Sequence, residues 1–160
     1  MFRARNICET GQAGIAPYFA QMRLLLTILL LAAPANAWEF SATPICTLTH
    51  EEAAADVAVT YDHATRLYAI AITSATGWPS APAFSIRFDG AQPNTISTAR
   101  HQSNNQTLTV TDTGFGNVLD GLEFNTTATA FTQTAAVTLS LAGAAPEVQK
   151  FRACATAPIA

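Results

Sequence analysis

Residues 22–37 of the chain, MRLLLTILLLAAPANA, determine which part of the chain forms the mature, folded domain. The segment carries one positive charge at Arg23, then an uncharged apolar run, a proline, and small residues that end at Ala37. This is the layout of a secretory signal peptide with an A-x-A cleavage site. We therefore predict cleavage after Ala37, export to the periplasm and a mature protein that begins at Trp38.

The alternative for this segment is a membrane anchor. Its apolar run, residues 24–33, has about half of the roughly 20 residues that span a bilayer, and Trp38 stands where a lipid-anchored protein would need a cysteine. We therefore expect no stable membrane insertion after cleavage. Residues 1–21 have no apolar period and nothing that a signal peptide needs, so we predict a disordered upstream extension, with Met22 as the true start.

Composition narrows the function of residues 38–160, which we predict to be a single domain. The whole chain has 8 basic and 11 acidic residues, and three of the basic residues and one of the acidic residues precede Trp38. The predicted mature chain therefore has 5 basic and 10 acidic residues and a net charge of −5. Nucleic-acid binding depends on neutralising phosphates, and anionic membrane surfaces attract basic segments. Neither partner fits this charge, and we expect an envelope protein or a small ligand instead.

Two cysteines remain after cleavage, Cys46 and Cys154, near opposite ends of the mature chain. In an exported protein such a pair predicts one disulfide. Closing a loop of about 109 residues would stabilise the fold by roughly 4–5 kcal/mol in the chain-entropy account. A redox-active thiol or a metal site would need C-x-x-C spacing or nearby histidine ligands, which the sequence does not show.

Alternating apolar and polar residues predict a mainly β fold, an antiparallel β-sandwich. Two runs around a turn at 62–65 predict a hairpin, and QSNNQ at 102–106 predicts a loop. The predicted strands cover residues 45–49, 55–62, 66–73, 84–88, 94–101 (a weaker candidate), 107–112, 125–133 and 135–141.

Two segments depart from this alternation. Residues 113–124 place apolar side chains near helical spacing but contain glycines, which predicts a short irregular helix or wide loop. At the C-terminus, Pro146 fits the first position of a helix whose apolar residues follow at helical spacing. This short helix would return Cys154 to the strand that carries Cys46.

The C-terminal segment SLAGAAPEVQKFRAC, residues 140–154, ends a strand in L-x-G and continues as a short helix that closes on a cysteine. Together with the strand FSIRFDG at 84–90, it resembles the invasion-associated locus B family over residues 84–154. Members of that family are small exported bacterial proteins with a β-sandwich fold. The resemblance implies an envelope protein without known catalysis, and it transfers no functional residue.

Catalytic and cofactor motifs are missing from the sequence. His50, His63 and His101 are separated and fit no H-x-x-x-H or H-E-x-x-H pattern, and neither a G-x-S-x-G elbow nor a phosphate-binding loop is present. We therefore predict no cofactor and no resident metal. The histidines are interpreted as turn or surface residues.

Seven residues remain as candidate ligand or partner contacts. Oxygen-bearing side chains on a glycine-rich segment can bind Ca²⁺, although turn and capping roles are the simpler interpretation. A tryptophan in a proline-rich loop can anchor a partner or fold back as a plug, and an Arg-His pair can form a solvated strand end. The candidates are Trp78, Arg100, His101, Asp112, Asn117, Asp120 and Glu123.

We predict a non-enzymatic binding or envelope-support module. The alternative is a small periplasmic hydrolase or metal-dependent enzyme with a site near residues 100–123. A concave pocket that brings His101 within hydrogen-bond reach of Asp112 or Asp120 would favour the enzyme. Dispersal of these side chains over the surface would favour the module.

Overall fold

The computed structural model describes residues 37–158, so the predicted signal peptide, apart from Ala37, and the upstream extension lie outside the described residues. By their contacts, these described residues belong to one compact unit. The elements of the described chain are β1 (Glu39–Ser41), β2 (Cys46–Glu51), β3 (Ala55–Asp62), β4 (Leu67–Ser74), β5 (Phe84–Gly90), β6 (Asn94–Thr98), β7 (His101–Asn104), β8 (Thr107–Asp112), α1 (Gly116–Phe124), β9 (Asn125–Phe131), β10 (Ala136–Ser140) and α2 (Ala144–Thr156).

The strands form two antiparallel sheets. One has the order β1-β2-β3-β4-β8-β7, and the other has the order β10-β9-β5-β6. The predicted hairpin is confirmed as β3 and β4, with Tyr61 opposite Tyr68 and the turn directly after Asp62. A mainly β, sandwich-like fold with a C-terminal helix is therefore confirmed.

The apolar faces of the two sheets pack against each other. Alternate residues of each strand point to one face, and these are the positions at which the sequence carries its branched and aromatic side chains. Burying each such side chain stabilises the fold by about 1.5–3 kcal/mol. The buried residues that face each other include Val57, Ile70 and Ile72 of the six-stranded sheet and Ile86, Phe88 and Ala130 of the four-stranded sheet.

The strand predicted at 94–101 is two strands in different sheets. β6 pairs with β5, whereas β7 pairs with β8. The prediction of a loop at 102–106 is therefore wrong for residues 102–104, which belong to β7. The turn is limited to Asn105 and Gln106. The side chains of 102–104 are polar and exposed, so they show no alternation. An edge strand needs only backbone hydrogen bonds to its one neighbour, which any side chain permits.

The segment 113–124 is more regular than predicted, because it contains the nine-residue helix α1. Gly121 lies in this helix, and a Cβ at that position would overlap the ring of Phe88. The glycine therefore allows close approach of the helix to β5. The predicted place of Pro146 is also wrong, since α2 begins at Ala144 and Pro146 is its third residue. The first four N–H groups of a helix lack intrahelical acceptors, so proline is tolerated there.

We expect Gly121→Ala to lower the free energy of unfolding by up to about 2 kcal/mol. Overpacking of a tight core typically costs about 1–3 kcal/mol, which outweighs the roughly 1 kcal/mol by which alanine favours a helix over glycine. Gly116→Ala in the same helix is the matched control, because a Cβ there meets nothing within 4 Å. Urea denaturation should show Gly116→Ala as neutral or stabilised, and equal stabilities for the two variants would contradict the packing account.

The disulfide between Cys46 and Cys154 is present, with an S–S distance of 2.03 Å and a Cα–Cα distance of 5.9 Å. Cys46 begins β2 and Cys154 lies near the end of α2. The bond therefore joins the C-terminal helix to the six-stranded sheet, as the sequence predicted.

Candidate binding cavity between the sheets

A cavity of about 360 Å³ opens between the two sheets, beside the segment that joins β8 to α1. Its wall is mostly apolar, with polar groups gathered on a few residues. The lining consists of Ile70, Phe84, Ile86, Ile96, Val110, Phe115 and Val118, with Ser97, Thr98, Arg100, Asp112, Asn117 and the two glycines Gly114 and Gly116.

Two cross-strand pairs form opposite walls of this cavity. Ile70 of β4 lies opposite Val110 of β8, and Ile86 of β5 lies opposite Ile96 of β6. Each pair belongs to a different sheet, and both line the cavity. Ile96 and Val110 are only half-buried, because β6 and β8 lie at or next to the edges of their sheets. The alternation of each strand thus builds an apolar space that the sheets do not fill.

The mouth of the cavity carries an ion pair. A guanidinium nitrogen of Arg100 donates to Asp112 Oδ2 over 3.0 Å, and the side chain of Arg100 is 79% exposed. An exposed ion pair of this kind contributes about 0–1 kcal/mol to stability. Arg100 is therefore available to a ligand at little energetic expense.

Asp112 is held in its charged form. The backbone N–H of Thr113, which donates to Asp112 Oδ1 over 2.7 Å, is the main cause that lowers the pKa of Asp112, and the positive charge of Arg100 lowers it further. Hydrogen bonds to a carboxylate and nearby cations both favour ionisation. The mouth thus keeps one fixed negative and one fixed positive charge at neutral pH.

A carboxyl NMR titration should place the pKa of Asp112 below the ordinary aspartate value of 3.8. Because the pKa is lower in the folded state, the stabilising effect of Asp112 is present above the unfolded pKa and is lost as the pH falls through the folded pKa. Arg100→Gln should raise the pKa only in part, since the Thr113 N–H remains. A pKa at or above 3.8 in the wild-type protein would contradict this geometry.

Trp78 and His101 lie elsewhere, on a separate polar recess of about 380 Å³. The Trp78 ring is 3% exposed, and its indole N–H donates to the Ile72 carbonyl over 2.9 Å. The side chain of Trp78 is therefore folded back and buried, as the plug interpretation expects, and its role as a ligand or partner contact stays a prediction. His101 is half-buried at the start of β7, and no hydrogen bond joins it to Asp112 or Asp120 among the described residues.

Asp120 and Glu123 face the C-terminal helix. Arg152 donates to Asp120 Oδ1 over 2.5 Å, and its Nε lies 3.0 Å from Glu123 Oε2, an ion pair without hydrogen-bond geometry. Gln149 also donates to Glu123. A guanidinium thus sits where the calcium interpretation would place a cation, and the acidic candidates do not gather into a cluster in residues 37–158. Asn117 is exposed in the first turn of α1, at the cavity.

His63 is a residue whose surroundings the sequence did not reveal. Its Nε2 lies 3.6 Å from Cys46 Sγ, although the two residues are separated by a complete hairpin. The strand register explains the contact, because Cys46 pairs with Tyr61 and the turn after β3 follows directly. His63 lies two residues after Tyr61, the cross-strand partner of Cys46, so its side chain can reach back to Cys46.

Comparison of the chain with protein-family models, with curated proteins and with solved structures found no match. Within residues 37–158, both helices fall short of the length and apolar character that a bilayer-spanning helix requires.

Proposed function

We propose that the mature protein is an exported, periplasmic, non-enzymatic binding module that holds a small and mainly apolar molecule between its sheets. The observation that carries the proposal is the cavity lined by Ile70, Ile86, Ile96 and Val110. Small-molecule sites are typically about 300–1,000 Å³, mostly apolar, with a few placed polar groups. A volume of about 360 Å³ and the Arg100–Asp112 pair at the mouth agree with this description.

Arg100 suggests how a ligand would be oriented. Its side chain is largely exposed, and its partner Asp112 can be replaced by an anionic group of a ligand at little expense. An arginine binds carboxylates and phosphates through its fixed fork of N–H donors. We therefore infer a ligand with an apolar body in the cavity and room for a polar or anionic end at the mouth.

Two features support export. The disulfide is typical of proteins from oxidising compartments. Trp38, the first residue after the predicted cleavage site, is 3% exposed, stacks on His50 at a ring distance of 4.6 Å and donates to the Ser140 carbonyl. Cleavage after Ala37 would thus leave the first buried side chain of the described fold in place. The resemblance to the invasion-associated locus B family points to the same compartment.

The hydrolase or metal-dependent enzyme near residues 100–123 remains a prediction without support from the geometry. His101 and Asp112 line different recesses, and Asp120 pairs with Arg152. Envelope support without a ligand is the other remaining alternative.

N-phenyl-1-naphthylamine, a neutral dye that fluoresces in apolar surroundings, tests the proposal. We expect saturable 1:1 binding to residues 38–160 and at least a tenfold loss of affinity in Ile96→Trp, which fills the cavity. Leu67→Trp is the matched control, because Leu67 is 36% exposed and does not line the cavity. Equal affinities in the two tryptophan variants, or no saturable binding to the folded wild type, would contradict the proposal.

The role of Arg100 requires a second dye. Arg100→Gln should weaken binding of the anionic 1-anilinonaphthalene-8-sulfonate several-fold and leave binding of the neutral dye unchanged. A charge-assisted hydrogen bond is lost in the first case only. An equal loss of affinity for both dyes would mean that Arg100 shapes the cavity and does not recognise the charge of the ligand.

A further inference from the structure

A second cluster of ligand-type side chains lies away from the cavity, around the disulfide. Cys46 Sγ, Cys154 Sγ and a ring nitrogen of His63 all lie within 4.8 Å of one another. They come from three different elements: β2, the turn after β3, and α2. Cys46 is buried, whereas His63 and Cys154 are half-buried.

We propose that reduction of the disulfide converts this cluster into a binding site for a thiophilic metal ion, with Zn²⁺ as the committed ion. A dithiol reductant supplies two electrons and two protons and becomes a disulfide, while Cys46 and Cys154 become thiols. Zn²⁺ then displaces the two thiol protons and binds both sulfurs as thiolates. The lone pair of neutral His63 Nε2 provides the third bond.

The distances favour this arrangement. Zn–S bonds of about 2.3 Å and Zn–N bonds of about 2.0–2.1 Å in a tetrahedron place two sulfurs about 3.8 Å apart and a sulfur and a nitrogen about 3.6 Å apart. His63 Nε2 is already 3.6 Å from Cys46 Sγ. Once the disulfide is reduced, the two sulfurs only have to move to about 3.8 Å apart, a change that rotation of the two Cys side chains can provide.

The ligand set also selects the ion. Soft thiolates with one imidazole suit Zn²⁺ and related thiophilic ions, and they suit Ca²⁺ and Mg²⁺ poorly. Two sulfurs and one nitrogen leave a fourth tetrahedral position open, as in zinc sites that bind water or an external ligand. Because His63 and Cys154 are half-buried, solvent reaches the cluster and can supply a water to that position.

The scaffold holds the three ligands independently of the S–S bond. β2 is fixed by its pairing with β3, which places Cys46 opposite Tyr61 and the turn of His63 beside it. α2 is fixed by Arg152, which binds Asp120 and Glu123 of α1, and by the buried Phe151. A reduced chain therefore keeps contacts that present both thiols to His63.

Cobalt provides the test, since Co²⁺ bound tetrahedrally to thiolates absorbs both in the near ultraviolet and in the visible. Residues 38–160 are reduced with a phosphine, desalted without oxygen and titrated with Co²⁺. We expect 1:1 binding with both absorption bands, displacement by Zn²⁺, and no bands in the oxidised protein. His63→Ala should lose at least tenfold in affinity, whereas His101→Ala, a histidine remote from the disulfide, should match the wild type.

Circular dichroism keeps the test decisive if reduction loosens the fold. Metal binding to a site built from distant residues stabilises the folded state, so Zn²⁺ should restore the spectrum of the oxidised protein. Absence of thiolate–cobalt bands, failure of Zn²⁺ to restore the fold, or equal affinities of His63→Ala and His101→Ala would each overturn the proposal.

Discussion

The double variant Cys46→Ala/Cys154→Ala is expected to unfold in urea with a free energy about 4–5 kcal/mol lower than that of the oxidised wild type. The two cysteines are separated by 108 residues, and in the chain-entropy account a loop of this length restricts the unfolded state strongly. Small domains have only about 5–15 kcal/mol of stability in total. The variant should therefore lose a large share of its stability and keep only the part that the contacts of the sheets and helices supply.

The wild-type protein in its reduced, metal-free form is the control for this variant. Both lack the crosslink, so they should have similar stabilities if the crosslink itself is responsible. A loss of less than about 1 kcal/mol in the double variant would contradict the chain-entropy account. A large loss in the variant with full stability of the reduced wild type would assign the effect to packing of the sulfurs.

Phe88→Ala is expected to lower the free energy of unfolding by about 3–5 kcal/mol, the usual range for removing a buried phenylalanine ring. Phe88 is fully buried on β5, where it lies opposite Ala128 of β9 and directly beneath Gly121 of α1. Ala128 and Gly121 are too small to extend into the space that the ring leaves. The space left by the ring therefore stays partly empty, and the cost of this void adds to the free energy lost with the buried ring.

Phe124→Ala provides the matched control, because the Phe124 side chain is 41% exposed at the end of α1. Urea denaturation should show a loss near 1 kcal/mol or less for this variant, in line with ordinary surface substitutions. If both phenylalanine variants lost the same amount, Phe88 would not be the centre of the contact between helix and sheets.

The fold could be predicted where one face of a strand is buried. β3, β4 and β5 carry branched or aromatic residues at most of the alternate positions of one face, because that face packs on the core and the other meets solvent. β7 escaped prediction because it is an edge strand of polar residues. The helix α1 was underestimated because Gly121 lowers helix propensity while it improves packing on Phe88.

The candidate site could be predicted only in fragments. The sequence indicates Asp112 and Asn117 as oxygen-bearing residues of a glycine-rich segment and Arg100 as part of a strand end, and the structure places all three at one cavity. The cavity itself depends on how closely two sheets approach, and no local pattern encodes that distance. The contact of His63 with the disulfide likewise requires the register of β2 and β3, which sequence alternation does not fix.

Isotope-labelled isoleucine methyl groups offer the most direct test of a ligand cavity between the sheets. Ile70, Ile86 and Ile96 line the cavity, whereas Ile45 precedes β2 and does not. With N-phenyl-1-naphthylamine bound, we predict nuclear Overhauser contacts from the dye to the methyl groups of the three lining residues and none to Ile45. Contacts confined to Ile45, or no contact with any of the three at saturating dye, would contradict the account.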